Sequence, residues 1–304
     1  MKLIIFDVGN AACSIISSPN RYGMMIDCGS CNDKDNPVDL YKNNTNKIKD
    51  WLDIRPFVHS TGKKYPLGLL HITHPDDDHV RNAKRIKDEL EPYLLRKRQF
   101  EEFPDGDKIN QEYKECIDKV YRGTNPEIIE WGFDKNEIFL IPMEDIKANK
   151  ELSDKLRNNS SIIRFIKYNN IKILYCGDME KPGWEWLVNH DKQFVQTVRG
   201  GIDILIAPHH GHKSGFPFAL FDIIGRVKCV IHSKGSEGDK EESDVSTQYS
   251  SKAAGVQYTN LTDNSIYEGQ VLTTRSNGNI FIEIADGNLT VWADKASSNH
   301  TKWS

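Results

Sequence analysis

An excess of positive charge, a bilayer-length apolar run and a second cysteine pair are all missing from this chain, and each absence removes a class of protein. Its 40 Lys and Arg stand against 44 Asp and Glu, a net charge of −4, so the sequence has no global basic footprint of the kind that draws proteins to nucleic acid. Any affinity for phosphate is therefore local. Hydrophobic residues make up 38% of the 304 positions and charged residues 28%, which supplies a core but no membrane span. The opening Met1-Lys2-Leu3-Ile4-Ile5-Phe6 reaches Asp7 too soon for a signal-peptide core and has no small-residue cleavage site behind it. Export is not expected, and the chain reads as soluble and cytoplasmic. Six cysteines are scattered, and Cys28 with Cys31 forms a lone C-x-x-C, which is weak support for a zinc knuckle or a redox pair. They read as small core residues of a reducing compartment.

What is present reads as one α/β domain over residues 1–293 with a polar, frayed tail over 294–304. Leu3 to Val8, Ser14 to Ser17 and Met24 to Cys28 predict an opening β-meander. Leu67 to Thr73 predicts a buried strand emptying into Thr73-His74-Pro75-Asp76-Asp77-Asp78-His79, and strand ends followed by polar loops are where α/β folds keep chemistry. From Val80 to about Tyr121 the pattern is helical, with Ile109, Tyr113, Ile117 and Val120-Tyr121 at helical spacing and Gly123 as a stop, so a helical insertion is expected around residues 80–125. Ser161 to Tyr168 and Ile171 to Cys176 flank Asn169-Asn170, a pair that tolerates a two-residue hairpin turn. That hairpin delivers Gly177-Asp178. A helix opens at Pro182, and the strand Ile202 to Ala207 ends at Pro208-His209-His210-Gly211-His212. Helix Phe216 to Ile224, strand Val227 to His232, a charged loop Gly235 to Asp244 and strands near Val271, Ile280 and Leu289 complete the chain. Meander plus helices in each half is compatible with two similar halves packed face to face.

The candidate ligands all fall at predicted strand ends. In His74-x-Asp76-x-Asp78-His79, alternate residues of an extended segment point the same way, so His74 and Asp76 can grip one ion while Asp78 and His79 turn toward a second. Imidazole nitrogen and carboxylate oxygen suit divalent ions, and Asp178, arriving from another strand, is the candidate bridge. Each piece alone has a blander reading. An Asp-rich loop after a strand is commonly a solvated turn or helix cap, and His-His-Gly is commonly a turn. Their co-occurrence in this order favours a metal site. If the strand into the histidine pair stays extended, one of the two faces the metals: His210 as ligand, with His209 behind it or acting as an acid. His212, Lys213 and Ser214 lie just beyond and can contact a phosphate, although an exposed loop reads equally well for His212. The basic run Lys84, Arg85, Lys87, Arg96, Lys97 and Arg98 reads as a solvated helix face before a phosphate track. Trp184, Trp186, Phe216 and Phe218 read as core before base-stacking platforms.

These motifs resemble the metallo-β-lactamase superfamily, and within it the soluble β-lactamase-like domain of ComEC-type DNA-uptake proteins. The matching segments are Asp7-Val8-Gly9, Ile26-Asp27-Cys28-Gly29, Thr73 to His79, Asn158-Asn159-Ser160-Ser161, Tyr175-Cys176-Gly177-Asp178, Ala207 to Gly211 and Val230 to Gly235. The resemblance runs from residue 3 to about residue 284. It implies an αββα four-layer sandwich with metals at one edge between the two sheets. Departures accompany it: Asn10-Ala11-Ala12 replaces the family's Q-G-D after the opening motif, and Arg81-Asn82 replaces a glycine pair. No histidine lies between His79 and His190, and Asn158 to Ser161 occupies the place of the family's further ligand histidine.

The expected cofactor is therefore two divalent ions, zinc or manganese, with one site the weaker. Asp76 in place of a histidine hardens the site toward manganese. Asp78, Asp178, His209 and His212 are the expected catalytic residues, His74, Asp76, Asp78, His79, Asp178 and His210 the metal ligands, and Asn159, Ser160, Lys213 and Ser214 the substrate-binding residues. A water held between two cations loses its proton near neutral pH and attacks phosphorus or a carbonyl, so hydrolysis is the expected reaction. By analogy with the DNA-uptake domain the leading substrate is DNA, as for a nuclease. A small-molecule phosphodiesterase and a weakly active regulatory or binding subunit of a multi-component system are the alternatives. No stretch corresponds to the membrane helices that accompany that domain elsewhere, so transport is not expected of this polypeptide.

Overall fold

The computed structural model describes residues 1–42, 47–104, 109–117, 129–235 and 245–303. Its strands are β1 (Lys2–Ile5), β2 (Cys13–Ser17), β3 (Gly23–Cys28), β4 (Phe57–Val58), β5 (Lys64–Tyr65), β6 (Leu67–His71), β7 (Pro92–Arg96), β8 (Lys135–Phe139) and β9 (Ile163–Tyr168). Then follow β10 (Ile171–Tyr175), β11 (Ile204–Ile206), β12 (Cys229–His232), β13 (Val256–Asn260), β14 (Ile266–Gly269), β15 (Val271–Thr273), β16 (Ile280–Ala285), β17 (Asn288–Ala293) and β18 (Thr301–Lys302). Ten of them form one sheet in the order β18-β14-β13-β17-β16-β1-β2-β3-β6-β7, and six form a second in the order β15-β12-β11-β10-β9-β8.

The two-residue period of the strands sorts their side chains into layers. Leu3, Ile5, Ile16, Met24 and Ile26 of the large sheet share one cluster with Ile166, Ile173, Ile204 and Ile231 of the small sheet, between the two. Their chain neighbours Ile4, Ile15, Met25 and Leu70 pack outward with Val38 and Ile86 from helices, as Leu174, Leu205 and Val230 do with Trp184, Leu187, Phe194 and Leu220. Helices cover both outer faces, which is the αββα sandwich implied by the resemblance. Fully burying each such Ile or Leu stabilises the native state by about 1.5–3 kcal/mol, so strands in the middle layers read as continuous apolar runs.

The predicted hairpin turn is formed: Asn169 and Asn170 adopt φ 48° and 65°, both left-handed, as a type I′ turn requires. Three expectations are corrected. The helical insertion is broken by β7, which pairs parallel with β6. Pro92 cannot continue the helix Ala83–Leu90, Glu91 turns left-handed at φ 35°, and Tyr93-Leu94-Leu95 is buried as a strand. Val120, Tyr121 and Gly123 lie outside the described residues, as does most of the charged loop up to Asp244. The halves do not separate into sheets, because β13, β14, β16 and β17 join the large sheet beside β1. The tail is not wholly frayed, since β18 pairs antiparallel with β14. Among the described residues no helix is long and apolar enough to cross a membrane.

The two sheets meet at one edge, where the amide of Ile162, leading into β9, donates to the carbonyl of Thr73 at 2.9 Å. The C-terminal ends of β3, β6, β10 and β11 open there, the crevice position that α/β sheets reserve for ligands.

Candidate metal centre

Past β6 the chain runs extended through Thr73 and His74 and turns at Asp76 into the short helix Asp77–Val80. A close approach holds this segment in place. A Cβ on Gly29 would lie 1.5 Å from the Asp78 carbonyl oxygen, so only glycine lets the end of β3 lie against it. The Ala12 amide donates to that same oxygen at 3.0 Å. On the facing sheet, Ser161 Oγ accepts from the Asp178 amide at 2.9 Å, and the His209 amide donates to the Gly177 carbonyl at 3.0 Å.

Ligand atoms of Asp78, His79, Asp178 and His210 lie within 4.8 Å of one another. His79 Nε2 is 3.1 Å from Asp178 Oδ1, and His210 Nε2 is 3.1 Å from Asp78 Oδ2. His74 Nε2 stands 3.8 Å from Asp178 Oδ2 and 3.6 Å from Asp76 Oδ2. Hydrogen bonds on the far side of each ring fix its tautomer. His79 Nδ1–H donates to Asp27 Oδ2 at 2.8 Å, and His210 Nδ1–H donates to the Ser233 carbonyl at 2.8 Å. Thr73 Oγ1 gives its proton to Asp27 at 2.9 Å and so accepts from His74 Nδ1–H at 3.2 Å. All three imidazoles thus direct Nε2 inward, the arrangement in which a histidine ligates metal. His74 Nε2, Asp76 Oδ1, His79 Nε2 and Asp178 Oδ1 are buried without a hydrogen-bond partner. Orphaned donors of this kind, beside carboxylates, fit a divalent cation.

The electrostatics agree. Burial alone would raise the Asp178 carboxyl, but His79, His210 and His74 hold it well below the carboxylate range. Burial would lower His79, and the carboxylates of Asp178, Asp27 and Asp78 instead raise it well above the ordinary imidazole value. His210 is raised, against its burial, by Asp178 and Asp78. The carboxylates thus favour positive charge in the cluster.

The histidine pair departs from the extended strand of the sequence expectation. Pro208–Gly211 is a tight turn in which His209 and His210 both adopt left-handed backbone, φ 50° and 52°. Successive left-handed residues re-aim the rings, so the alternation rule does not apply. His210 enters the cluster and is 6% exposed, while His209 Nε2 stops 3.9 Å from Asp178 Oδ2 and its Nδ1 bonds Ser214 Oγ at 2.8 Å. Burial lowers His209 below its ordinary value, against the pull of Asp178. His212 packs beside it with ring centroids 4.9 Å apart. Ser214 is occupied by both histidines, and Lys213 is exposed.

Asn159 and Ser160, expected at the substrate, are fully buried. Asn159 donates to the Leu152 carbonyl and accepts from the Glu180 amide, and Ser160 donates to the Arg157 carbonyl at 2.6 Å. Both brace the loop from behind. The open cleft of about 700 Å³ above the centre is lined instead by Lys155, Arg157 and Asn158, together with Asp76, Asp178 and His209. The sequence reading missed these two cations, and it missed Glu180, which accepts from Asn158 Nδ2 at 2.9 Å and lies 3.6 Å from His209 Nδ1. The basic run is not a track: Lys84 pairs with Asp88, Arg85 with Asp39 and Glu89, and Arg98 is buried against the Ser160 and Ile141 carbonyls. Trp184 and Phe216 are core residues as expected, whereas Phe218 is 53% exposed.

An αββα sandwich with His, Asp and His ligands converging at the shared sheet edge defines a protein of the metallo-β-lactamase fold. No family model matches the chain. It is 25% identical to ComE operon protein 3 of Bacillus subtilis over 222 residues, 69% of this chain and 25% of that protein, so it spans about a quarter of its curated relative. Among solved structures it is similar to the metallo-β-lactamase fold protein YhfI of Bacillus subtilis, with a TM-score of 0.45 and 10% identity over 92% of this chain and 99% of that one. It is also similar to a candidate Zn-dependent hydrolase of the metallo-β-lactamase superfamily from Thermotoga maritima, with a TM-score of 0.35 and 11% identity over 81% and 83% of the two chains.

Proposed function

We propose that the protein is a metal-dependent hydrolase of phosphodiesters, with DNA as its leading substrate class. The observation that carries the reading is the convergence of three imidazole Nε2 atoms on the Asp178 carboxylate. A divalent cation, zinc or manganese, bound there supplies the positive charge that acidifies a water and polarises a phosphoryl oxygen. Asp78, His79, Asp178 and His210 would hold it. His209, with Glu180 and Ser214 at its Nδ1, orients its ring along the cleft wall and is placed to pass a proton to a departing oxygen. Lys155 and Arg157 place two cationic side chains on the cleft wall, among the carboxylates of Asp76, Asp78, Asp154 and Asp178. DNA is favoured by the resemblance to the ComEC-type domain.

A second reading, hydrolysis of a small phosphodiester, draws on the ion pairs that engage Lys84 and Arg85 of the basic run. Both are tested by hydrolysis of bis-p-nitrophenyl phosphate and of labelled single- and double-stranded DNA, with added manganese or zinc, by wild type and Asp178→Ala. Loss of both activities in the variant is expected, and their ratio in wild type separates a nuclease from a small-molecule enzyme. A wild-type protein that binds cation but cleaves neither substrate is instead a regulatory or binding subunit, and the phosphodiester reading falls.

A further inference from the structure

The two halves of the centre are not built alike. Asp78, His79, Asp178 and His210 converge, and among the described residues they are the one group of such donors that does. His74 lies close to Asp76 and to Asp178, but Asp76 does not join them in a second group. Its other oxygen, Oδ1, is ion-paired at 3.0 Å with Nη1 of Arg157, without the alignment of a hydrogen bond. The helix Leu156–Asn159 thus places a guanidinium against the carboxylate that would complete the first half. Among the described residues no neighbouring donor replaces it: Asn158 Nδ2 is directed to Glu180 and Asn159 is buried behind the loop.

We infer that Arg157 takes the place of a second cation: the protein holds one tightly bound divalent ion, on Asp78, His79, Asp178 and His210, and Arg157 closes the His74 and Asp76 half while supplying its positive charge. The inference rests on the metal-centre reading above and goes beyond it in fixing the number of ions and the group that fixes it. A guanidinium is always charged and offers a planar fork that matches two oxygens of a phosphate. It lies on the cleft wall with Lys155 and is 38% exposed.

Manganese is the probe. Metal-free protein is titrated with Mn²⁺, with free ion and bound ion read separately by electron paramagnetic resonance, for wild type, Arg157→Gln, Arg157→Lys and Asp76→Asn. Circular dichroism confirms the fold of each. Wild type is expected to take up one equivalent tightly with no exchange-coupled signal. Arg157→Gln should gain a second equivalent and a coupled spectrum, Arg157→Lys should remain at one, and Asp76→Asn should keep the single equivalent. Two tight equivalents in wild type, one in a folded Arg157→Gln, or loss of the equivalent in Asp76→Asn would each overturn the inference and leave the metal-centre reading standing. No tight binding by wild type would overturn both. Should Arg157→Gln not fold, wild type and Asp76→Asn still decide where the ion sits.

Discussion

Asp27 does not line the open cleft, yet it orients His79 directly and His74 through Thr73, two rings that face the candidate cation site. Its Oδ2 accepts from His79 Nδ1 and from Thr73 Oγ1, and its own backbone is held left-handed at φ 55°, a cost that persists where surrounding contacts enforce it. Asp27→Ala should weaken cation affinity by roughly 10- to 100-fold, the usual effect of removing a carboxylate behind a histidine ligand, as read by competition with a chromogenic chelator. Unchanged affinity would remove Asp27 from that role. The raised proton affinity of His79 and His210 has a second consequence. Below their raised values both rings carry protons in the metal-free protein, and a cation must displace them. Affinity should therefore rise with pH, with protons released as the ion binds. Calorimetric titration in buffers of different ionisation enthalpy counts them, and a buffer-independent heat would show the rings to be neutral.

At the scale of elements, the site depends on how closely β3 lies against the turn after β6. Gly29→Ala should push the Asp78 carbonyl away, since no flexible side-chain end lies between them to give way. The expected cost is about 1–3 kcal/mol of stability, with loss of tight cation binding; thermal melting and the same chelator competition measure both. Much of this arrangement was legible in the sequence, because its strands are short apolar runs that stop at polar motifs, and the ligands sit at those stops. Other parts were not. Pro92 to Arg96 is one short apolar run between charged segments, indistinguishable by period from the helices around it. Val256 to Asn260 and Ile266 to Gly269 are half-exposed and polar, so neither alternation nor a continuous run marked them. Arg157 looked like any charge in a polar stretch, and Asn159 and Ser160 like exposed loop residues. Only the fold shows which of four consecutive residues turn toward the cleft. Likewise, the left-handed turn at His209 and His210 breaks the strand geometry on which the sequence argument for the pair relied.

For the whole molecule, the centre is a clasp between sheets: His74 to His79 come from the end of β6 in the large sheet, Asp178 and His210 from the ends of β10 and β11 in the small one. A cation that binds only the native state stabilises it by about 4 kcal/mol when free ion exceeds Kd a thousandfold. Stripping it with a chelator should lower Tm by roughly 5–10 °C, and calorimetry of the Asp178→Ala variant should show no such drop. The clasp also bears on the order of folding. His210 and Asp78 are 132 residues apart in the chain, and both sheets must be in place before their side chains face one another, so the ligand set is among the last contacts to form. A cation added at the start of refolding then has nothing to organise. It should leave the refolding rate nearly unchanged and slow unfolding instead, acting as a latch on a finished structure.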